Sequence, residues 1–239
     1  MNYLLYVALG FLPSLIWLSI YLRKDSHPES NLMILKIFAF GMLVTAPAVL
    51  LEIGFFEELK KLSLPSLLTI FMYSIFGVAL IEEGLKYLIV KERVLKNPEF
   101  DEPIDAMLYM IIVALGFAAV ENVLIIFNFG KNSLSSFIFS IAILRFVGAT
   151  FLHTLSSGTI GYFLARSLFL PKRKLTYMAS GFAIAVILHG LYNFSIITAD
   201  GYSKALIPMA ILTSLAFFLT WGFNDLKRLK SVCQPFIKK

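Results

Sequence analysis

Residues 103–128 read PIDAMLYMIIVALGFAAVENVLIIFN, an apolar stretch that carries Glu121 and Asn122 toward its far end. About 20 consecutive apolar residues form a helix long enough to cross the hydrocarbon core of a bilayer. Pro103, which follows the acidic residue Glu102, is typical of the first turn of a helix. The stretch therefore predicts a membrane-spanning helix with two polar side chains inside it.

The rest of the chain has the same character. Its 239 residues are 59% apolar and only 15% charged, whereas soluble domains have about 25% charged residues. This composition excludes a disordered, a collagen-like or a secreted disulfide-rich protein. Further apolar stretches lie at about residues 3–22, 31–56, 66–92, 134–169, 175–197 and 203–223.

Seven apolar stretches predict an all-α polytopic transmembrane bundle. Because no long linker divides the chain, we expect a single membrane domain over residues 1–239. The stretch 134–169 is too long for one straight span, since a helix of that length would measure about 54 Å against a bilayer core of about 30 Å. We expect it to bend or break near Arg145 to Gly148, and an eighth segment within it stays open.

The basic residues of the loops predict the orientation. If the N-terminus lies outside, fourteen lysines and arginines fall in cytoplasmic loops and four in outer loops. The positive-inside rule therefore predicts an outer N-terminus and a cytoplasmic C-terminus. The net charge of +6 is explained by this topology, so we expect the lipid bilayer of the cell membrane as the partner and no nucleic acid.

Polar side chains inside the predicted spans indicate a functional site. Each ionised group near the bilayer centre costs about 2.5 to 3.5 kcal/mol if it faces lipid, so these groups must face one another or a water-filled cavity. We place this core at about residues 66–197. Arg145 by itself is interpreted as a snorkelling or helix-break residue. The remaining polar side chains are Glu82, Glu83, Lys86, Glu121, Asn122, His153, His189 and Asn193.

Carboxylates and imidazoles are the groups that activate water, so hydrolysis is the first reaction class to consider. We predict that Glu82 or Glu83 is the general base and that the other glutamate and Lys86 are its electrostatic partners. Counted from the cytoplasmic helix ends, Glu82 and Glu83 lie about 14 Å deep and Glu121 about 27 Å deep. Tilted or kinked helices are therefore needed to bring these residues together.

The remaining residues have predicted roles in the same reaction. Glu121 and His153 would complete the activation of water or of a metal ion. His189 and Asn193 lie one turn apart and would stabilise the tetrahedral oxyanion. A divalent metal, zinc, is the expected cofactor, with Glu83, Glu121, His153 and His189 as candidate ligands. Metal-free catalysis by glutamate and histidine is the alternative.

Two other classes of function also place ionisable groups in the membrane. A metal-ion or proton-coupled transporter would do so, although the hydropathy shows no inverted repeat of the kind that many transporters carry. An inactive relative that acts as a binding scaffold is the third possibility. The sequence has no nucleotide-binding loop and no His-Glu-x-x-His motif, so neither ATP-driven transport nor a common zincin site is supported.

Four motifs occur in a characteristic order over about residues 80–195. Together they resemble the motifs of the PrsW intramembrane proteases, a family distantly similar to the type II CAAX prenyl endopeptidases and the abortive-infection proteins. Those distant relatives have a histidine where this chain has Glu121. The motifs are EEGLK at 82–86, DEPID at 101–105 leading to GFAAVEN at 116–122, His153 in a helix rich in serine and glycine, and HGLYN at 189–193.

The resemblance implies a membrane-embedded peptidase. Its substrate would be a membrane-anchored protein cut near the extracytoplasmic side, which is site-1-type cleavage. PrsW proteases act in this way on an anti-sigma factor, and such a factor is the candidate substrate that the resemblance suggests.

Overall fold

The computed structural model describes residues 3–24, 29–130, 135–169 and 171–228, and within these ranges there are helices and no strands. The predicted all-α fold is therefore confirmed. The α-helices are α1 Tyr3–Leu22, α2 Asn31–Lys60, α3 Ser66–Met72, α4 Leu80–Arg93, α5 Pro103–Gly130, α6 Ser135–Val147, α7 Ala149–Phe169, α8 Lys174–Thr198 and α9 Ser203–Lys227.

Seven helical segments of the described chain are long and apolar enough to cross a membrane, which confirms the predicted number of spans. Two of the seven combine shorter helices: Ser66–Arg93 contains α3 and α4, and Phe137–Leu168 contains most of α6 and α7. Leucines and phenylalanines on the outer faces of the seven spans are more than half exposed, as expected for side chains that face lipid. Examples are Leu43, Leu50, Leu144 and Phe217.

Helix α5 is the central element of the bundle. Every residue from 103 to 119 is buried, as expected for a helix that is hydrophobic on all sides. Helices α1, α2 and α7 pack around it. Glycines allow the closest approaches, because a Cβ at Gly116 would collide with the carbonyl oxygen of Phe38, and one at Gly161 with that of Ala106. Small residues at helix contacts have this effect in membrane bundles.

The third span contains a π-helical segment, Tyr73–Ala79, between α3 and α4. π-Helical turns are rare and are found mostly at functional sites. This segment ends three residues before Glu82. It changes the face to which the following side chains point, because its hydrogen bonds join residues five apart and not four.

The fifth span is interrupted where the sequence predicts a bend or break. Helix α6 ends at Val147 and α7 begins at Ala149. The N–H of Gly148 still donates to the carbonyl oxygen of Leu144 at 2.8 Å, so the two helices remain joined. The hydroxyl of Tyr192 lies against Gly148 where a side chain would otherwise stand. A Cβ at Gly148 would also lie 2.7 Å from the carbonyl oxygen of Leu144, so a larger residue would require its neighbours to shift.

Candidate active site

The Glu82-Glu83 pair and Lys86 lie in α4, directly after the π-helical segment, and all three are buried. The Lys86 ammonium lies 3.1 Å from Oε2 of Glu82 and 2.9 Å from Oε1 of Glu83. Residues three and four apart share a helix face, so one lysine can pair with both carboxylates. Burial makes these contacts much stronger than the same pairs would be in water.

Two histidines from other helices complete this cluster. The rings of His153 in α7 and His189 in α8 are 5.1 Å apart and nearly perpendicular. Oε2 of Glu82 lies 3.4 Å from Nδ1 of His153 and 3.8 Å from Nε2 of His189. The carboxylate of Glu82 therefore faces both imidazoles.

Glu83 is held more firmly than Glu82. Its Oε1 accepts hydrogen bonds from Lys86 and from Nδ1–H of His189 at 3.1 Å, and its Oε2 accepts one from the hydroxyl of Ser157 at 2.6 Å. In the described part of the chain, Lys86 is the one hydrogen-bond donor to Glu82. The two adjacent glutamates thus differ: Glu83 is fixed by three donors, and Glu82 keeps more freedom to react.

Glu121 contacts the far side of His153. Because Nδ1 of His153 accepts from the Lys86 ammonium at 2.9 Å, its Nε2 carries the proton and donates to Oε2 of Glu121 at 2.7 Å. The same Oε2 lies 2.8 Å from Nη2 of Arg145 in α6. Nε of Arg145 also donates to the side chain of Asn122. Arg145 is therefore more than the snorkelling or helix-break residue that the sequence suggests.

Asn193 is the predicted site residue with the fewest contacts. It lies one turn after His189 and is partly buried. Among the described residues, its side chain has no hydrogen-bond partner. Its role in the site stays a prediction.

Hydrogen bonds join the other predicted site residues, either directly or through one shared neighbour. These residues are Glu82, Glu83, Lys86, Glu121, His153 and His189.

Sequence reasoning missed Glu52, a carboxylate in α2. It lies between Ala48, which packs with Phe117 of α5, and Phe56, whose ring packs on that of Tyr73 just before the Glu82-Glu83 pair. It was overlooked because it stands near the predicted end of its span. The available signal was a carboxylate within the apolar run PAVLLEIGFF, residues 47–56.

The residues present fit a divalent metal ion. One donor atom from each of four buried side chains lies within 4.8 Å of the others: Glu82, Glu83, His153 and His189. Imidazole nitrogens and carboxylate oxygens are the usual ligands of zinc outside cysteine sites. The Lys86 ammonium contacts three of these four side chains, which shows that they stabilise positive charge. Glu121, a predicted ligand, is not part of this group and contacts Nε2 of His153.

Comparison with known proteins gives a consistent result. The family model described as PrsW family intramembrane metalloprotease matches residues 29–221. "Protease PrsW" of Oceanobacillus iheyensis is 27% identical over 206 residues, which cover 86% of this chain and 89% of the relative. The Clostridioides difficile protein of the same name is 28% identical, with 90% and 87% covered, and that of Bacillus subtilis is 25% identical, with 95% and 96% covered. No solved structure matches the chain.

Proposed function

The chain belongs to the PrsW family of intramembrane metalloproteases, and from that premise we propose how its buried glutamates and histidines cleave a membrane-anchored protein. It is an intramembrane protease and a multi-pass membrane protein with seven apolar spans. The observation that carries the proposal is the buried group formed by Glu82, Glu83, His153 and His189. Family membership favours this reading over the transporter and scaffold alternatives.

Glu82 is the general base in this proposal. It takes a proton from the attacking water and returns it to the leaving nitrogen of the peptide bond, as a positioned carboxylate can do. Two features support this role: its Oε2 faces both imidazoles, and Lys86 is its one described hydrogen-bond donor. Lys86 balances the charge of the two glutamates before and after the proton moves.

The residues that would hold a metal ion are Glu83, His153 and His189. A bound divalent ion, zinc in our proposal, supplies positive charge that polarises the water and the scissile carbonyl. Ser157 fixes Glu83 through the second carboxylate oxygen, and Glu121 fixes the ring of His153 through Nε2–H. Such supporting hydrogen bonds orient metal ligands and set the histidine tautomer.

Asn193 would stabilise the tetrahedral oxyanion. His189, which the sequence pairs with it in that role, donates its Nδ1–H to Glu83 and holds the metal ion in this proposal, so it has no second N–H to give. An amide N–H close to the developing negative charge lowers the barrier of acyl transfer. The side chain of Asn193 has no partner among the described residues, so its N–H groups are available for a substrate.

The test is cleavage of a single-span membrane protein by the purified enzyme in nanodiscs. We expect Glu82→Ala, Glu83→Ala and His189→Ala each to lower the rate by about a hundredfold or more, because water-activating and charge-stabilising groups contribute factors of this size. Glu92→Ala is the matched control, since Glu92 lies in the same helix in an exposed pair with Lys96. Full activity of the three site variants would refute the assignment.

We also propose that the enzyme lies in the cell membrane with its N-terminus outside and cuts an anti-sigma factor or a similar anchored protein near the outer face. The supporting observation is the excess of basic residues in the loops assigned to the cytoplasm. Lys204→Cys, made in a chain whose single natural cysteine, Cys233, is replaced by serine, should react with an impermeant maleimide in intact cells. Arg173→Cys should react only after lysis, and the reverse pattern would overturn the orientation.

A further inference from the structure

We propose that Glu52 is a further catalytic residue, which accepts a hydrogen bond from a backbone N–H of the substrate next to the scissile bond. This inference rests on the proposed function, because it assumes that the peptide is cut at the Glu82 site. Glu52 lies outside the four sequence motifs.

The position of Glu52 on α2 supports this role. The buried face of this helix runs through Thr45, whose hydroxyl lies 3.4 Å from the carbonyl oxygen of Phe117, and Ala48, which is fully buried. Residues three and four apart share a face, so Glu52 continues this face one turn further. One turn before it, Ala48 packs with Phe117 of α5. One turn after it, the ring of Phe56 packs on that of Tyr73 in the π-helical segment, with 4.9 Å between the centroids.

One oxygen of the Glu52 carboxylate is an unsatisfied acceptor. Oε1 of Glu52 is buried and accepts no hydrogen bond from any residue that the structure describes. Buried polar atoms nearly always have a partner. Lys86 pairs with Glu82 and Glu83, and Arg145 pairs with Glu121, so neither of these cations is paired with Glu52. Oε1 of Glu52 is therefore a buried acceptor without a donor among the described residues, and we assign that donor to the substrate.

A substrate helix that is opened for cleavage offers the backbone N–H donor that Glu52 lacks. A transmembrane helix satisfies its own backbone groups, and a segment that is opened for cleavage frees N–H groups that find no water in the hydrocarbon region. A carboxylate is a strong acceptor for such an N–H. Glu52 would stabilise the opened segment at the point of attack and so favour substrates that have a free N–H there, which proline lacks.

The experiment compares two substitutions that separate the acceptor from the charge. Glu52→Gln keeps a carbonyl acceptor, whereas Glu52→Leu removes it. We expect kcat/KM of the glutamine variant to stay within about threefold of the wild type and that of the leucine variant to fall by about tenfold to a hundredfold. Glu57→Leu, at the exposed end of the same helix, is the control and should leave kcat/KM unchanged.

A second measurement identifies the donor. Synthetic transmembrane peptides carry a single N-methyl residue at successive positions around the cleaved bond. One N-methyl position should lower the wild-type rate as much as Glu52→Leu does, and the two changes combined should cost no more than either alone. Zinc content and thermal unfolding of the leucine variant should equal those of the wild type. If it unfolds, Glu52→Ala takes its place in the same comparison.

Three results would overturn the inference. Equal loss in the glutamine and leucine variants would show that the charge or a proton of Glu52 matters and the acceptor does not. Wild-type activity of the leucine variant, or additive N-methyl effects at every position, would show that Glu52 does not contact the backbone. Failure of the proposed function is recognised separately, because Glu82→Ala would then stay active in the same assay.

Discussion

The active site has a fully buried part and a partly exposed part, which we name its inner and outer half, and the two are built in different ways. The inner half consists of Glu82, Glu83 and Lys86, which lie within one turn and a half of α4 and pair with one another. The outer half consists of Glu121 and Arg145, which come from α5 and α6 and meet behind His153. The first half depends on helix periodicity alone, whereas the second depends on how three helices pack.

The charged groups of the two halves also have different effects. In the inner half, one ammonium contacts two carboxylates that are fully buried, so its loss leaves two uncompensated charges in a low dielectric. In the outer half, Arg145 and Glu121 are partly exposed, and their pairing mainly orients His153. We therefore expect changes in the inner half to affect stability and activity together, and changes in the outer half to affect activity more.

The largest effect is expected for Lys86→Met. A partner of a buried ion pair, once removed, destabilises by about 3 to 5 kcal/mol, and the loss of the contact between the ammonium and the Phe117 ring, 4.4 Å from its centroid, adds to this. Thermal unfolding in nanodiscs should show a clearly lower midpoint. Added zinc should raise the midpoint more in the variant than in the wild type. In the variant the ion would supply the positive charge that the Lys86 ammonium gives the two glutamates in the wild type.

Lys96→Met is the control for that substitution. Lys96 lies three residues after the end of the same span and forms an exposed pair with Glu92, and exposed pairs contribute little to stability. An unchanged midpoint in both lysine variants would show that Lys86 does not neutralise the two glutamates. It would also weaken the assignment of Glu82 and Glu83 as charged groups.

Arg145→Ala tests the outer half. Without the guanidinium, Glu121 has one partner fewer and holds His153 less firmly. The loss of such a supporting group typically lowers activity by about 10-fold to 100-fold, and we expect this in kcat with little change in KM. Arg166→Ala, which breaks an ion pair with Asp225 at the other end of α7, should leave kcat unchanged.

A double-substitution cycle sharpens this result. If Arg145 acts through Glu121, Glu121→Gln combined with Arg145→Ala should lower kcat no further than either change alone. Additive losses would mean that Arg145 has an independent role, for example through its contact with Asn122.

The sequence predicts the inner half of the site better than the outer half. The seven spans, the bend at Gly148 and the pairing of Lys86 with both glutamates could be predicted, because hydropathy, span length and helix periodicity determine them. The depth estimates for Glu82 and Glu121 differ, yet His153 contacts both residues. Depth counted along straight helices could not include the π-helical segment or the tilt of the spans.

Glu52 and Arg145 show what the sequence could not supply. Each is a single charged residue in an apolar span, and the sequence does not determine which neighbour such a residue will face. Packing against the buried face of α2 determines the position of Glu52. The bend between α6 and α7 brings Arg145 to Glu121. Both contacts depend on tertiary structure, which neither spacing nor composition encodes.

The smallest effect is expected for Ser157→Ala, which removes one of the three donors to Glu83. The Lys86 and His189 contacts remain, so Glu83 should stay in place, and a hydrogen bond to a charged group contributes about 1.5 to 3 kcal/mol. We expect kcat to fall by about tenfold and the affinity for zinc to fall with it, measured by competition with a chelator. Thr159→Val is the control, since the hydroxyl of Thr159 bonds within its own helix to the carbonyl oxygen of Leu155. A loss in kcat as large as that of Glu83→Ala would show that Ser157 contacts the substrate itself and does not act through Glu83.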